Sequence, residues 1–251
     1  PGRPDLLLQH GLVLREAGRD AEALRSVEAL LQQEPAHAGA LRLRGRLLGA
    51  MERHEEALAS HATLLALEPG DAEAWLMQGQ SLLILQRPSD ALVSLQKAVA
   101  LAPADAMAWN NLGSAWRDLQ QPVEAIAAFR QAMAVGGDAA LAQYHIAALG
   151  GEVAPASAPE QYVRRLFDGY AASFDTHLVE TLRYEAPRRL VQGLQALPGF
   201  SPGMQALDLG CGTGLCGPLL APLYTMVDGV DLSAPMLERA RARGVYRHLV
   251  Q

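Results

Sequence analysis

Small residues and the apolar positions between them recur every 34 residues through the first half of the chain. Glycine holds one column, alanine a second column twelve residues later, and proline a third. The columns are Gly11, Gly45, Gly79 and Gly113; Ala23, Ala57, Ala91 and Ala125; and Pro35, Pro69 and Pro103, with Gly137 in the fourth place. Three independent columns at one period predict four copies of a pair of antiparallel helices, packed closely at the small residues and separated by the prolines.

This period and these columns resemble tetratricopeptide (TPR) repeats. The fourth copy resembles them most, through Trp109, Leu112, Gly113, Trp116, Ala125, Phe129 and Ala132. The resemblance implies an all-α superhelix over residues 1–149, with a capping helix at 141–149. Each unit in such an array buries its apolar stripe only against its neighbours, and the array forms a concave groove. A protein or peptide is therefore the expected partner.

Groove residues follow from the register of the repeats, because the fifth, sixth and ninth positions of each first helix are expected to face inward. These positions hold Arg42, Arg46, Met77, Gln80, Asn110, Asn111 and Ser114. Asn110 and Asn111 carry amides that can hydrogen-bond a peptide backbone. The alternative for each position is a solvated helix face. Chaperone-binding members of the family begin a carboxylate clamp where this chain has Leu8 and Leu12, so that activity is not expected.

Residues 150–159 are rich in Gly, Pro, Ala and Ser and lack apolar periodicity, which predicts a linker. The following domain, residues 160–251, opens with apolar positions at helical spacing, and a further helix is predicted at 185–196. Short arginine clusters on its predicted helices are explained as solvated faces. These clusters are Arg164 with Arg165, Arg188 with Arg189, and Arg239 with Arg241 and Arg243.

Two apolar runs in this domain, 204–209 and 224–230, predict buried parallel strands. A short helix is predicted at about 215–220 between them, with its N-terminal amides directed into the preceding loop. A third strand begins at 245–250. The alternation of strand and helix is typical of an α/β sheet.

The loop after the first of these strands contains Gly210, Gly212 and Gly214. Glycine permits a positive φ and leaves no Cβ between the backbone and a ligand. Asp231 follows the second strand, about 20 residues beyond the loop, where an open α/β fold binds ribose hydroxyls. The pattern therefore predicts a site for a cofactor that contains adenosine.

The dinucleotide fingerprint G-x-G-x-x-G is broken here, because Leu215 stands where its third glycine belongs. Asp208, two residues before the first glycine, suits a cofactor with a positive amino or sulfonium group better than a pyrophosphate. A nicotinamide-binding domain stays open as an alternative. So does a glycine-rich turn in a domain that has lost its ligand.

At these residues the chain resembles the class I S-adenosylmethionine-dependent methyltransferases. Residues 208–214 match the first motif of that family, and Asp231 matches its acidic residue after the second strand. Leu232 and Met236 fall where the family packs apolar side chains on the adenine. The resemblance implies S-adenosyl-L-methionine as cofactor, bound by Asp208, Gly210, Cys211, Gly212, Gly214, Asp231, Leu232 and Met236.

Residues 167–175 resemble the lid region of small-molecule methyltransferases, which covers the cofactor and shapes the acceptor pocket. Tyr170, Phe174 and His177 are therefore candidates for the acceptor side, whereas no catalytic residue is assigned. The whole chain resembles a bacterial group of predicted methyltransferases with N-terminal TPR repeats. The expected function is methyl transfer, with the repeats recruiting a protein partner or substrate. The alternative is an interaction scaffold with an incomplete or inactive transferase segment.

The expected fold is thus multidomain, an all-α TPR superhelix followed by an α/β Rossmann-like methyltransferase domain that is truncated. A complete domain of this class resembles a seven-stranded sheet, whereas two strands and the start of a third are visible here. The acidic residue that usually follows the third strand is also absent. We therefore expect this chain to bind S-adenosylmethionine weakly or not at all.

The composition of the chain limits the kinds of partner that are expected. The net charge is −6 and there is no basic run, so nucleic acid is not an expected partner. The sequence contains no run of 18 apolar residues, so no membrane-spanning helix is expected. Cys211 and Cys216 lack a nearby His or Cys partner, which predicts no metal site and reduced thiols in a cytoplasmic protein.

Overall fold

The structure, a computed structural model, describes residues 4–153, 157–201 and 203–251. The chain divides into two compact units, Pro1–Ala156 and Ser157–Gln251. Residues 154–156 of the expected linker lie outside the described residues. The first unit is helical throughout its described part, and the second holds a small parallel sheet.

The first unit consists of four antiparallel helix pairs and one further helix, as the 34-residue period predicts. The helices are α1 (Pro4–Glu16), α2 (Asp20–Gln33), α3 (Ala38–Ala50), α4 (His54–Leu67), α5 (Ala72–Ile84), α6 (Pro88–Leu101), α7 (Ala106–Asp118), α8 (Pro122–Ala134) and α9 (Ala139–Ala148). The first helices of successive repeats contact one another, from α1 to α3, α3 to α5 and α5 to α7. They therefore form one continuous face of the array.

Each glycine of the repeat column receives the side chain that lies 16 residues later in the same repeat. A Cβ on Gly79 would lie 2.5 Å from Cγ of Leu95, and one on Gly113 would lie 2.7 Å from Cε1 of Phe129. Glycine is required because the paired helix leaves no room for a methyl group. The four receiving positions are Val27, His61, Leu95 and Phe129, which we call the glycine-facing column.

The turn within each repeat contains one residue with a positive φ. This residue is Gly18 in the first repeat (+71°) and then Glu52, Gln86 and Gln120, at +58° to +60°. The next residue is an arginine in the first three repeats, and it pairs with an acid three positions further on. The pairs are Arg19 with Glu22, Arg53 with Glu56, and Arg87 with Asp90. The turn is thus repeated in geometry as well as in sequence.

The second unit begins with helices and continues as alternating strands and helices. Its elements are α10 (Glu160–Tyr170), a π-helix (Thr176–Thr181), α11 (Ala186–Gln195), β1 (Gln205–Leu209), α12 (Gly217–Leu220), β2 (Met226–Val230), α13 (Ala234–Ala242) and β3 (Leu249–Val250). The strands pair in parallel in the order β1-β2-β3, with Asp208 opposite Gly229 and Val230 opposite Val250. The carboxyl ends of β1 and β2 therefore lie side by side.

The two predicted strands and the helix at 185–196 are confirmed, and three details differ. The helix predicted at 215–220 is a single turn, since Gly212 and Gly214 hold the loop in positive-φ conformations that no helix continues. The strand predicted at 245–250 pairs only at Leu249 and Val250. The prediction that β1 is buried is wrong, because Leu207 and Leu209 are exposed and β1 pairs on one side only within the described residues.

Among the helices that the structure describes, none combines the length and the apolar character required to cross a lipid bilayer.

Candidate functional site

The loop between β1 and α12 has three glycines with positive φ: Gly210 at +71°, Gly212 at +55° and Gly214 at +80°. A Cβ on Gly210 would meet nothing within 4 Å, and one on Gly212 would meet only Phe174, at 3.8 Å. A Cβ on Gly214 would instead lie 2.8 Å from Cε2 of Tyr246. The first two glycines therefore border open space, whereas the third allows close packing inside the unit.

Asp231 is fixed beside this loop by backbone hydrogen bonds. Its Oδ2 atom accepts the N–H of Gly212 at 2.8 Å, and its Oδ1 atom accepts the N–H of Ser233 at 2.9 Å. The N–H groups of Gly210 and Cys211 both donate to the carbonyl of Val230, at 2.8 and 3.0 Å. The end of β2 thus holds both the loop and the carboxylate in place.

A cavity of about 370 Å³ opens between this loop, the end of β2 and the first helix of the unit. Its lining residues are Val163, Phe167, Phe174, Gly210, Gly212, Val230, Asp231, Leu232, Met236 and Gln251. Met236 reaches the cavity wall from the first turn of α13, which Ser233 caps. The cavity therefore combines apolar and aromatic walls with exposed loop backbone and one carboxylate.

The three acceptor-side candidates form one aromatic cluster, but only Phe174 lines this cavity. The ring of Tyr170 packs edge-on against Phe174 at 5.2 Å and against His177 at 5.6 Å. The Tyr170 hydroxyl and His177 Nδ1 form a hydrogen bond. Because His177 is exposed, this pair lies at the solvent side of the cluster.

Three residues that the sequence analysis did not single out as a site connect the segment after α10 to the glycine loop. Arg243 Nη2 lies 2.6 Å from Asp175 Oδ2, and Arg243 Nε donates to the carbonyl of Thr213 at 2.6 Å. The Thr213 hydroxyl, which is fully buried, donates to the other Asp175 oxygen. We call these residues the Asp175–Thr213–Arg243 cluster.

The interpretation of Arg243 as part of a solvated face is therefore wrong. The residue lies just after the end of α13, and its side chain points inward to the cluster. Helical periodicity could not predict this direction, because the residue no longer belongs to the helix. The pairing also joins residues 68 positions apart, so no local sequence signal announces it.

Asp208 lies outside the lining of the 370 Å³ cavity. Its Oδ2 atom accepts a 2.7 Å hydrogen bond from the hydroxyl of Tyr246. Burial and this hydrogen bond raise the pKa of Tyr246, so its hydroxyl stays protonated and donates. The hypothesis that Asp208 faces a positively charged cofactor group stays a prediction.

Both cysteines near the loop are free thiols. Burial, together with the charges of Asp208 and Asp231, raises the pKa of Cys211 to about 12. Burial also raises the pKa of Cys216. Cys211 therefore acts as a small neutral side chain beneath the loop and not as a nucleophile. Within the described ranges, no group of three or more His, Cys, Asp or Glu side chains has the arrangement of a metal site.

The groove candidates of the repeats divide into two groups. Arg42 binds Asp71, with nitrogen–oxygen distances of 2.7 and 3.0 Å, and also Glu68, at 2.7 Å. Arg46 forms an ion pair with Glu73. These arginines thus connect the second repeat to the third, and their charge is partly neutralised by residues of this chain.

The other two groove candidates have unsatisfied amide atoms. Oδ1 of Asn110 and Nδ2 of Asn111 are buried and have no hydrogen-bond partner among the described residues. Buried amide atoms normally find a partner, so these two are exceptions within the described part of the array. Their assignment to the groove stays a prediction.

The array also contains a cavity of about 460 Å³ that the sequence analysis did not anticipate as a unit. Arg46, Met77 and Gln80 line it together with His61. His61 is buried, and its Nδ1 atom has no hydrogen-bond partner in the described part of the chain. Comparing the glycine-facing column across the four repeats reveals this residue, because its other members are apolar.

Two known sequence families match parts of the chain. The tetratricopeptide repeat family matches residues 8–60, 43–105 and 76–140, and a methyltransferase domain family matches residues 206–250. Human methyltransferase-like protein 27 is 46% identical over 85 residues, which make up 33% of this chain and 34% of that protein. The chain therefore matches about a third of the length of this curated relative.

Solved structures resemble the chain in fold. One is the structure of MamA from Desulfovibrio magneticus RS-1, from residue 41 to the end, which is 25% identical to this chain. The match covers 59% of this chain and 83% of that chain, with a TM-score of 0.56. Another MamA structure is 20% identical and covers 72% and 95%, with a TM-score of 0.57. YrrB, described as a TPR protein with an unusual peptide-binding site, is 22% identical and covers 57% and 74%, with a TM-score of 0.53.

Proposed function

The chain belongs to the tetratricopeptide repeat family, and we propose that its repeats bind a protein partner while its second unit serves methyl transfer from S-adenosyl-L-methionine. The proposal includes a class I, Rossmann-like fold for the second unit, and it takes the protein to be bacterial and located in the cytoplasm. The methyltransferase match over residues 206–250 and the human methyltransferase-like relative support the methyl-transfer part of the proposal.

The observation that carries this proposal is the 370 Å³ cavity at the carboxyl ends of β1 and β2. Gly210 and Gly212 leave room for a ligand against the backbone, because a Cβ on either would face open space or only Phe174. The single carboxylate on the cavity wall, Asp231, is already oriented by two N–H donors. Such a site fits an adenosine moiety, which has an apolar ring and two adjacent hydroxyls.

In this proposal Asp231 accepts hydrogen bonds from the ribose hydroxyls, and Leu232 and Met236 pack on the adenine. When bound, S-adenosylmethionine supplies a methyl group on an electrophilic sulfonium. The residues of this chain then have to align the acceptor and exclude water, and such positioning can supply about 7–11 kcal/mol of a reaction barrier. The Asp175–Thr213–Arg243 cluster contributes by holding the segment after α10 against the glycine loop.

Tyr170 and His177 mark the acceptor side in this proposal. Their hydrogen bond orients the imidazole, and His177 is exposed to an incoming acceptor. A base is needed only for an acceptor that must lose a proton of high pKa, so we assign no general base.

A protein-interaction scaffold is the second candidate function. It is favoured by the extent of the two family matches, since the repeats match from 8 to 140 whereas the methyltransferase family matches only residues 206–250. In this case the repeats would bind the partner, and the second unit would have no part in catalysis.

Saturation-transfer NMR on the full chain tests the proposal, because it detects weak ligands. We expect transfer to the adenosine protons of S-adenosylmethionine and none to NAD. The signal should disappear in Asp231→Ala. The exposed acid of α13 provides a matched control, Glu238→Ala, which should keep the signal.

Transfer to NAD but not to S-adenosylmethionine would replace the proposed cofactor with a dinucleotide. If neither molecule gives a signal, the scaffold function is supported instead. An unchanged signal in Asp231→Ala would show that the ligand binds away from the cavity.

A further inference from the structure

The glycine-facing column contains one member that the packing of the array does not explain. Val27, Leu95 and Phe129 are apolar and buried, as expected of side chains pressed against a glycine. His61 takes the same place in the second repeat and is only 2% exposed. Its Nδ1 atom has no hydrogen-bond partner in the described ranges, which costs stability in a buried position.

His61 lies in the wall of the 460 Å³ cavity, which is built from three successive repeats. Arg15 comes from α1, Arg46 from α3, and Glu73 and Gln80 from α5. Gly49 of α3 borders open space, since a Cβ there would meet nothing within 4 Å, whereas the absence of a side chain on Gly45 makes room for the His61 ring. The cavity is therefore a recess in the array with polar groups around an open centre.

The charges around this recess favour an anion. Arg46 is paired with Glu73, whereas Arg15 forms no ion pair with any described residue. The other ionisable groups of the lining are His54 and His61. Burial lowers the pKa of His61 to about 4, against the attraction of Asp71 and Glu73. The lining thus holds two arginines and one acid, and the exposed Arg15 is the arginine without a counter-charge among the described residues.

We propose that this recess is a subsite for the carboxylate side chain of an acidic residue within a partner protein. His61 donates a hydrogen bond to the carboxylate from its ring, and Arg15 supplies the counter-charge. The inference rests on the proposed role of the repeats in binding a partner.

The retention of a histidine in this column follows from such a role. An apolar residue would pack as Leu95 does, so the array alone gives no reason for a polar one. Buried polar groups that break a local pattern without a partner are typical of functional positions. A bound carboxylate would supply the missing partner.

Three short peptides test the subsite by NMR on the full chain. The first is acetyl-Ala-Leu-Glu-Leu-Ala-amide, and the second has Gln in place of Glu. The third is the Gln peptide with a free carboxyl terminus. The ring protons of His61, identified by their loss in His61→Leu, report binding directly.

We expect the Glu peptide to shift the His61 ring protons and to raise the pKa of His61 by about one unit, which corresponds to tenfold tighter binding of the protonated form. The Gln peptide should bind at least about tenfold more weakly, because it lacks the charge. Preference for the free carboxyl terminus over the Glu side chain would overturn the inference.

Three substitutions test whether the Glu peptide binds through His61 and Arg15. His61→Leu keeps the array folded, as Leu95 does in the third repeat, and should reduce binding of the Glu peptide about tenfold. Arg15→Ala should reduce it about fivefold. Arg25→Ala removes an exposed arginine of α2 outside the recess and should leave it unchanged.

Equal binding of the Glu and Gln peptides, binding of neither, or wild-type affinity in His61→Leu would each overturn the subsite. These results are independent of the methyl-transfer proposal. Saturation transfer to S-adenosylmethionine can fail while the Glu peptide binds, and it can succeed while the subsite fails.

Discussion

The Oδ2 atom of Asp231 accepts a 2.8 Å hydrogen bond from the backbone N–H of Gly212. The acid at the end of β2 is therefore a structural part of the glycine loop. Because Oδ1 of the same carboxylate holds the N–H of Ser233, one side chain connects the loop to the start of α13. A ligand that uses Asp231 would meet a carboxylate whose direction is already set.

We predict that Asp231→Ala loosens the glycine loop even without ligand. Removing the carboxylate leaves two backbone N–H groups without their acceptor, and a lost hydrogen bond to a charged group costs about 1.5–3 kcal/mol. Hydrogen exchange at Gly212 and Ser233 should therefore become faster by at least about tenfold. Glu238→Ala should leave both rates unchanged. Wild-type exchange at Gly212 in Asp231→Ala would refute this structural role.

We predict that His61→Leu stabilises the array, most strongly in mild acid. The pKa of His61 is lowered by burial to about 4, whereas an unfolded chain has a histidine pKa of about 6.5. The unfolded state therefore binds more protons in this interval, and stability falls as pH falls from 6.5 to 4. The loss can reach about 3 kcal/mol.

Urea unfolding of the wild type and His61→Leu checks this prediction. The variant should be more stable at pH 7 by about 1–3 kcal/mol, since it removes a buried polar atom without a partner. The gap should widen at pH 5. A gap that stays constant between pH 7 and pH 5 would contradict the lowered pKa.

The positive-φ turn of each repeat gives a prediction about stability. Gly18 adopts a φ of +71° with open space around its Cα, so Gly18→Ala adds strain without a clash and should cost about 1 kcal/mol. Gly70 also has open space, but its φ is not positive, and Gly70→Ala should be neutral or stabilising. Thermal unfolding of both variants measures the contrast. If both substitutions changed the unfolding temperature equally, the positive φ of Gly18 would not be the cause of the lost stability.

Gln120→Gly, at the turn of the fourth repeat, should stabilise the array, whereas Gly18→Ala should destabilise it. A non-glycine residue at +59° is strained, and glycine relieves that strain at the cost of greater freedom in the unfolded chain. The net gain should be below about 1 kcal/mol. A lower midpoint of thermal unfolding in Gln120→Gly would contradict the prediction.

We predict that Arg243→Ala frees the segment after α10 from the glycine loop. Arg243 contacts both Asp175 and the Thr213 carbonyl, and its side chain is partly buried. Loss of these charge-assisted bonds should cost about 1.5–3 kcal/mol and increase hydrogen exchange at Thr213. The matched control is Arg241→Ala, because that arginine is exposed near the end of the same helix. Unchanged protection in Arg243→Ala would mean that the segment is held by its aromatic contacts.

The repeats were predictable because their helix pairs follow from a residue pattern that recurs at a fixed, short spacing in the sequence. The spacing of Gly11, Gly45, Gly79 and Gly113 determines where the helices meet, and the structure has four pairs at that register. The same pattern cannot predict ion pairs between repeats. The register predicts a groove position for Arg42 and Arg46, but it gives no sign of their pairing with Asp71 and Glu73 at the start of the following repeat.

The glycine loop was predictable in position but not in its connections. Gly210, Gly212 and Gly214 all have the positive φ that their residue type suggests. The packing of Tyr246 against Gly214 and the contacts of Arg243 join residues 30 or more positions apart in sequence. Such contacts depend on how the elements pack, and a single sequence carries no periodic signal for them.

The ion pairs of Arg42 and Arg46 have a consequence for the behaviour of the array in different salts. Both arginines extend from α3 to acids at the start of the next repeat, Asp71 and Glu73, so this junction depends in part on charge. Attraction between partly exposed charges weakens as ions screen it, whereas the apolar contacts beneath α5 and α7 do not weaken in this way. Higher ionic strength therefore weakens the charged contacts between the second and third repeats, while the apolar cluster of Leu41, Leu64, Leu65 and Ala74 at the same junction still holds the two repeats together.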